Sequence, residues 1–210
     1  MPAIGADLLD ARTRDQAALW ARMTRAYGFI IGIEEILVFT ADGRLQPPAD
    51  YREWIFLSSS LDMSYRSSAD PDMHMFSNIF VQPEAYRAFV ADGTWPEGTV
   101  LVMEMRGARN AGSINKRGRF QTTEDMGLEL HVKDSTRFKD EGWGFFASDD
   151  GKPAPRIPVQ AECYSCHRAH GAVDTTFAQF YPTMLKVAEE KKTLAPAFVK
   201  ENEVTAEPVK

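Results

Sequence analysis

Cys163-Tyr164-Ser165-Cys166-His167 holds both cysteines of this 210-residue chain and sets a histidine directly behind the second. Two thiols three residues apart can each add to a vinyl group on one edge of a porphyrin, and the next residue brings an imidazole under the iron as proximal ligand. This is the C-x-x-C-H spelling of covalent c-type haem attachment. Three other chemistries use part of the pattern. A thioredoxin-like dithiol wants a βαβ context with the pair at a helix start, whereas the preceding Pro153-Ala154-Pro155-Arg156-Ile157-Pro158 reads as loop. A structural zinc site needs four closed ligands, and Cys163, Cys166, His167 and His170 are crowded into one short stretch. A plain disulfide of a secreted protein explains two cysteines but not the adjacent histidine. One covalent haem c is the expected cofactor, with Cys163 and Cys166 as anchors and His167 as the metal ligand.

Working outward, Phe177, Phe180, Tyr181, Met184 and Val187/Ala188 share one face of a C-terminal helix that Pro182 either kinks or restarts. From Thr193 the text turns polar, and 196–210 is expected to be a frayed tail. Upstream of the motif lie five short β-like runs, 54–61, 76–81, 99–105, 128–132 and 143–147. In the third, Leu101, Met103 and Met105 alternate with Val100, Val102 and Glu104, the period of a strand with two distinct faces. Residues 83–92 read as a short helix with Pro83 in its first turn, and 106–119, rich in Gly, Asn and basic residues, as a long solvated loop. Asp42-Gly43 marks a turn and Pro47-Pro48 a break, while 7–27 has helical spacing at Leu19, Trp20, Met23 and Tyr27 with Gly28 as a stop. The expected organisation is an N-terminal extension over 1–40, helical in part, a haem domain over 41–195 and the polar tail. The expected fold class is α+β: a mainly antiparallel β-sheet with flanking helices and the haem on a C-terminal helical segment, unlike the all-helical haem bundles.

A chain of this length, 44% hydrophobic, can bury one core around a cofactor. Its net charge of −6, without clustered Lys/Arg, argues against a nucleic-acid partner. Covalent haem attachment is done outside the cytosol in bacteria, so a periplasmic body is expected. Residues 1–27 nevertheless carry Asp7, Asp10 and Asp15 and no long apolar core, and the run Gly28-Phe29-Ile30-Ile31-Gly32-Ile33 is interrupted by Glu34 and Glu35. That run is too short to span a bilayer. The expectation is an export signal lost, replaced or mis-started in this version of the chain.

The order of strands and haem motif, with Tyr51-Arg52-Glu53-Trp54, Pro83-Glu84-Ala85-Tyr86, Gly98-Thr99-Val100, Val132-Lys133-Asp134-Ser135, Arg137-Phe138 and Phe180-Tyr181-Pro182, resembles the cytochrome P-460 family, which also includes the cytochromes c′-beta. The likeness runs from about Tyr51 to Leu185. It implies an antiparallel-sheet fold, a homodimer, His167 as proximal ligand and a mainly hydrophobic distal pocket. The P-460 enzymes oxidise hydroxylamine and carry a lysine-to-porphyrin bond from a Gly-Thr-Val-x-Val-Lys-Glu-like strand. Here that strand reads Gly98-Thr99-Val100-Leu101-Val102-Met103-Glu104, so Met103 stands where the resemblance places the lysine.

A thioether cannot form the lysine's bond, but it can coordinate iron or line an apolar pocket. Met103 is therefore either a second axial ligand or packing over the ring. Lys116 and Lys133 read as solvated charges. The resemblance to the cytochromes c′-beta, which bind nitric oxide behind distal phenylalanines, makes Phe56 and Phe76 candidates for such a lid, with Ser77 and Asn78 nearby to add polarity. His170 reads as a surface or propionate contact, His131 as part of a solvated strand face with Glu129 and Lys133, and His74 as a loop residue near the distal face. Arg156 or Lys152 could pair with propionates. The expected function is a monohaem cytochrome c that binds a small diatomic ligand, nitric oxide foremost, or passes single electrons to a partner protein. The alternative is an oxidoreductase acting on hydroxylamine or a related nitrogen oxide. Replacing Cys163 and Cys166 together by alanine should give a chain that, matured in an export-competent host, releases its pigment into acidified organic solvent. Pigment retained by that double variant would contradict the reading of the motif.

Overall fold

Side-chain alternation along five strands builds two unlike faces, and the site sits on one of them. The computed structural model describes residues 37–64 and 72–205. In chain order the elements are β1 (Val38–Phe39), β2 (Leu45–Gln46), β3 (Ile55–Leu61), β4 (Met75–Val81), α1 (Pro83–Asp92), β5 (Val100–Arg109), β6 (Phe120–Lys133), β7 (Trp143–Ser148), α2 (Glu162–His170), α3 (Pro182–Lys191) and α4 (Pro196–Thr205). Strands β3 to β7 pair in sequence order as an antiparallel meander, and β1 with β2 makes a separate two-stranded ladder. Contacts divide the chain into Met1–Val38 and Phe39–Lys210. The helix expected over 7–27 lies outside the described residues. The α+β class expected from the sequence is the architecture found.

Because opposed residues in an antiparallel ladder share a face, register alone defines the two surfaces. One face carries the rows Ser60–Ser77–Met105, Ser58–Ile79–Met103–Glu129 and Val81–Leu101–His131–Phe145. The helices pack at one end of this face, where Val81, Leu101 and Trp143 join Phe89, Trp95, Ala178, Met184 and Ala188 in the main core. Pro83 opens α1, and Gly93, at φ +76°, ends it in the left-handed cap that glycine adopts without steric cost. Gln82 braces the next turn, its Nε2 donating to the Gly98 carbonyl at 2.9 Å and its Oε1 accepting from Val100 N–H at 2.7 Å.

The opposite face carries Phe80–Val102–Leu130–Phe146 and Asn78–Glu104–Leu128–Ser148. Glu104 is only 5% exposed, yet it accepts from Tyr51 Oη at 2.7 Å, Arg106 at 2.7 Å and the Arg52 guanidinium. A buried carboxylate is tolerated only with such partners. This cluster ties the Tyr51-Arg52-Glu53-Trp54 stretch to the sheet.

Two parts differ from expectation. The loop expected over 106–119 is shorter than that: β5 and β6 remain paired out to Arg109–Phe120, with register shifts near Arg106, and 110–119 forms the connection between them. Polar residues on an arm exposed on both sides leave no hydrophobic alternation to read. Likewise the polar tail is a helix over most of its length. Leu194 and Phe198 pack against the main core, and Ala195 N–H donates to the Ala172 carbonyl at 2.8 Å. Pro182 restarts rather than kinks its helix, following a 3-10 turn at Ala178–Phe180. Among the described residues, no helix is long and apolar enough to cross a membrane.

Burial first, and then the bond to Glu104, push the Tyr51 phenol up from 10.0 to about 12. The folded chain holds this proton more tightly than the unfolded one, so the stabilisation is complete below pH 10 and is lost as pH rises from 10 to about 12. Its size is on the order of 2 kcal/mol. Denaturant titrations should show this alkaline loss in the native chain and its reduction in Tyr51→Phe; parallel curves for the two proteins would refute it.

Candidate haem-binding site

Helical spacing places Cys163, Cys166 and His167 at i, i+3 and i+4 of α2, on one face of the helix. Both thiols are free and half-buried. The helix is fastened by Tyr164, which is 3% exposed and packs on Phe145 next to His167. Its hydroxyl accepts from Phe145 N–H at 3.2 Å and from Arg156 Nε at 3.0 Å, and it lies 3.2 Å from the Ile157 carbonyl. Arg156 in turn grips Asp140 through both terminal nitrogens, at 3.1 and 2.9 Å, and the Trp143 carbonyl at 3.0 Å. The arginine expected beside propionates is thus part of the clamp between α2 and β7. Lys152 pairs with Asp150 on an exposed turn.

His167 donates Nδ1–H to the Thr175 carbonyl at 2.8 Å. Its ring stacks on Phe177, with centroids 4.0 Å apart, and meets Phe145 at 4.7 Å and His131 at 5.0 Å. Burial outweighs the opposing pull of the carbonyl and lowers this imidazole from 6.5 to about 4. At neutral pH the ring is therefore uncharged. With Nδ1 carrying the proton, Nε2 keeps its lone pair, the form a metal requires.

The Thr175 carbonyl is held out by an unusual turn. Thr176 N–H donates to the Val173 carbonyl at 2.8 Å, and the two residues between them, Asp174 and Thr175, have φ values of +49° and +60°. Two positive φ angles in succession mark a type I′ turn, which favours Asn, Asp and Gly and is costly for a β-branched residue. Gly171 lets this turn press against the helix, since a Cβ there would lie 2.6 Å from the His167 carbonyl oxygen and 2.9 Å from the Thr175 Cα.

His167 lines a cavity of about 470 Å³ between α2 and the first sheet face, within the range of about 300–1,000 Å³ typical of cofactor sites. Met63, Met75, Ile79, Leu101, Met103 and Met105 supply apolar wall, with Phe145 and Phe177 beside the imidazole and Phe180 edge-on to Phe177. A neutral imidazole with a free Nε2, two thiols on the same helical face and a largely apolar chamber of this size fit a haem.

Met103 lines this cavity, but Phe56 and Phe76 do not. The latter two belong to the opposite surface: β4 alternates so that Phe76, Asn78 and Phe80 face away from Ser77 and Ile79, and the shift between Phe56 and Ser58 leaves Phe56 opposed to Phe80. Phe56 is 55% exposed, with its ring edge-on to Phe80 at 5.8 Å. Ser77 lines the chamber, while Asn78 bonds Gln121 and Ser59 behind the sheet.

The face read as solvated through Glu129, His131 and Lys133 is instead the cavity face. His131 is 7% exposed and stacked on Phe145, with burial holding it well below the usual histidine range. Lys133 bonds the Trp95 carbonyl at 2.8 Å and the Asp174 carboxylate. His74 bridges Asp62 and Arg119, His170 contacts Glu201, and Lys116 is exposed.

Glu129 escaped the sequence reading as a functional residue. It opposes Met103 across the ladder and lines the cavity, where it keeps contact with solvent, yet surrounding protein raises its carboxyl above the ordinary range by desolvation. Its charged neighbours in the text disguised it. The signal that could have found it is register, which puts residue 129 beside residue 103.

Residues 48–178 match the family model for cytochrome P460. The chain belongs to the cytochrome P460 family. The matched span takes in the whole five-stranded sheet and the C-x-x-C-H helix of this P460 domain, and the family carries a haem. A search of curated proteins gave no match.

Asparagine tolerates the left-handed backbone that threonine resists. Thr175→Asn should therefore stabilise the P460 domain by roughly 1 kcal/mol, raising its thermal midpoint by about 2–4 °C. A lowered midpoint would show that the threonine side chain contributes more than its backbone costs.

Proposed function

We propose that this protein is a monohaem cytochrome c, joined to its haem through Cys163 and Cys166, with His167 as iron ligand, and that its cavity takes a small nitrogen-oxide ligand, nitric oxide foremost. The observation that carries this reading is the neutral His167, tied at Nδ1 and open at Nε2 toward a chamber with methionine and aromatic walls. When bound, the haem supplies a one-electron couple and a coordination position for the ligand.

The chain's own residues have separate tasks. The two thiols hold the cofactor on the helical face that bears His167, while Phe177 and Phe145 fix the plane of the imidazole. Met103, Met75 and Ile79 keep that part of the chamber apolar and favour an uncharged guest over an anion. The c-type attachment supports the periplasm as compartment. The family likeness supports a homodimer, and an electron-transfer protein is the proposed redox partner.

Glu129 favours a second reading, oxidation of hydroxylamine or a related nitrogen oxide. Its raised affinity for a proton suits it to accept one from a substrate seated beside Met103, with an external acceptor taking the electrons. The absence of lysine at position 103 speaks against that chemistry.

Ferric and ferrous absorption spectra, a nitric oxide titration and a hydroxylamine assay with added acceptor separate the two. The first reading expects an unmodified c-haem spectrum, saturable nitric oxide binding and no turnover. Turnover that falls by roughly 10²–10⁴-fold in Glu129→Gln would replace it with the second. If Met103 caps the iron, Met103→Ala should become high-spin and bind faster; identical spectra would exclude methionine ligation.

A further inference from the structure

The left-handed turn beneath His167 is locked by two contacts, linked to each other through Lys133 and Trp95 and both reaching it from outside α2. Lys133, on β6, pairs with Asp174 and also donates to the Trp95 carbonyl at 2.8 Å. Trp95, buried before β5, donates Nε1–H to Thr176 Oγ1 at 2.9 Å, and that hydroxyl donates on to the Val173 carbonyl at 2.7 Å. The two locks hold either side of Thr175, whose own φ of +60° is one that a β-branched residue does not hold without outside restraint.

We infer that Lys133, Asp174 and Thr176 are positioning residues for the iron ligand: they hold the Thr175 carbonyl against His167 Nδ1–H and so set the electron donation of His167 to the metal. A carbonyl held at 2.8 Å polarises the N–H bond and makes Nε2 a stronger donor. A stronger donor favours ferric over ferrous iron, lowering the reduction potential. Relaxing the turn weakens the bond and raises that potential. Lys133 also shares its strand face with Glu129, so one element both lines the cavity and braces the turn that holds the ligand.

The inference rests on the haem reading above, and its test distinguishes the two. Removing Lys133 or Asp174 alone would move the potential by charge as well as geometry, in opposite senses. The informative variants conserve net charge: Lys133→Met combined with Asp174→Asn, which keeps a residue tolerant of the left-handed backbone, and Thr176→Val, which removes the hydroxyl at similar volume. Midpoint potentials come from spectroelectrochemical titration of the purified holoprotein, alongside thermal unfolding. Each variant should retain the c-haem spectrum and shift its potential upward, while Lys133→Arg stays at the native value. Unchanged potentials in the folded variants, with only a lower thermal midpoint, would overturn the inference and leave the turn a structural feature. A native protein with no histidine-ligated c-haem spectrum would instead overturn the haem reading itself.

Discussion

One hydrogen bond, from His167 Nδ1–H to the Thr175 carbonyl, is the contact on which the proposed chemistry depends. It selects the tautomer, orients the ring toward the cavity and leaves one nitrogen free for a metal. The contact is costly to arrange, because the carbonyl is presented by a non-glycine turn with two positive φ angles. Much of the surrounding architecture can be understood as holding that geometry. Gly171 allows the close approach, Phe177 caps the ring, and Trp95 and Lys133 reach in from segments far away in sequence.

The sheet contributes differently to its two sides. On the inner face, methionines, serines and one glutamate form a chamber, and the tightly packed core is displaced to the end covered by α1 and α3. On the outer face, Glu104 draws Tyr51, Arg52 and Arg106 into a charged cluster that stiffens β4, β5 and β6 from behind. A cavity needs rigid walls, and a buried network with satisfied partners supplies them. Methionine suits the chamber because its unbranched side chain fills irregular space without demanding a partner.

The motif in α2, the alternation of 101, 103 and 105, the helix at 83–92 and the family resemblance were all legible in the sequence, because each is local or repeats with a short period. The failures arise where long-range pairing decides. Phe56 and Phe76 looked like lid residues by likeness to the distal phenylalanines of the family, yet parity along β4 and a shift in β3 turn them to the other side. His131 looked solvated because charged residues flank it, although β7 and α2 cover it, while Glu129 is exposed as expected but lines the cavity, which its neighbours in sequence do not reveal. The helix at 196–205 was hidden by its polar surface, since Leu194 and Phe198 give only a thin apolar stripe to read.

The central claim is that His167, and not its neighbour His131, provides nitrogen to the iron. Pulsed electron paramagnetic resonance on ferric protein labelled with ¹⁵N-histidine measures this directly. The account predicts a strongly coupled imidazole nitrogen that disappears in His167→Gly and returns when free imidazole is added. A coupling that survives in His167→Gly, or vanishes only in His131→Phe, would contradict it.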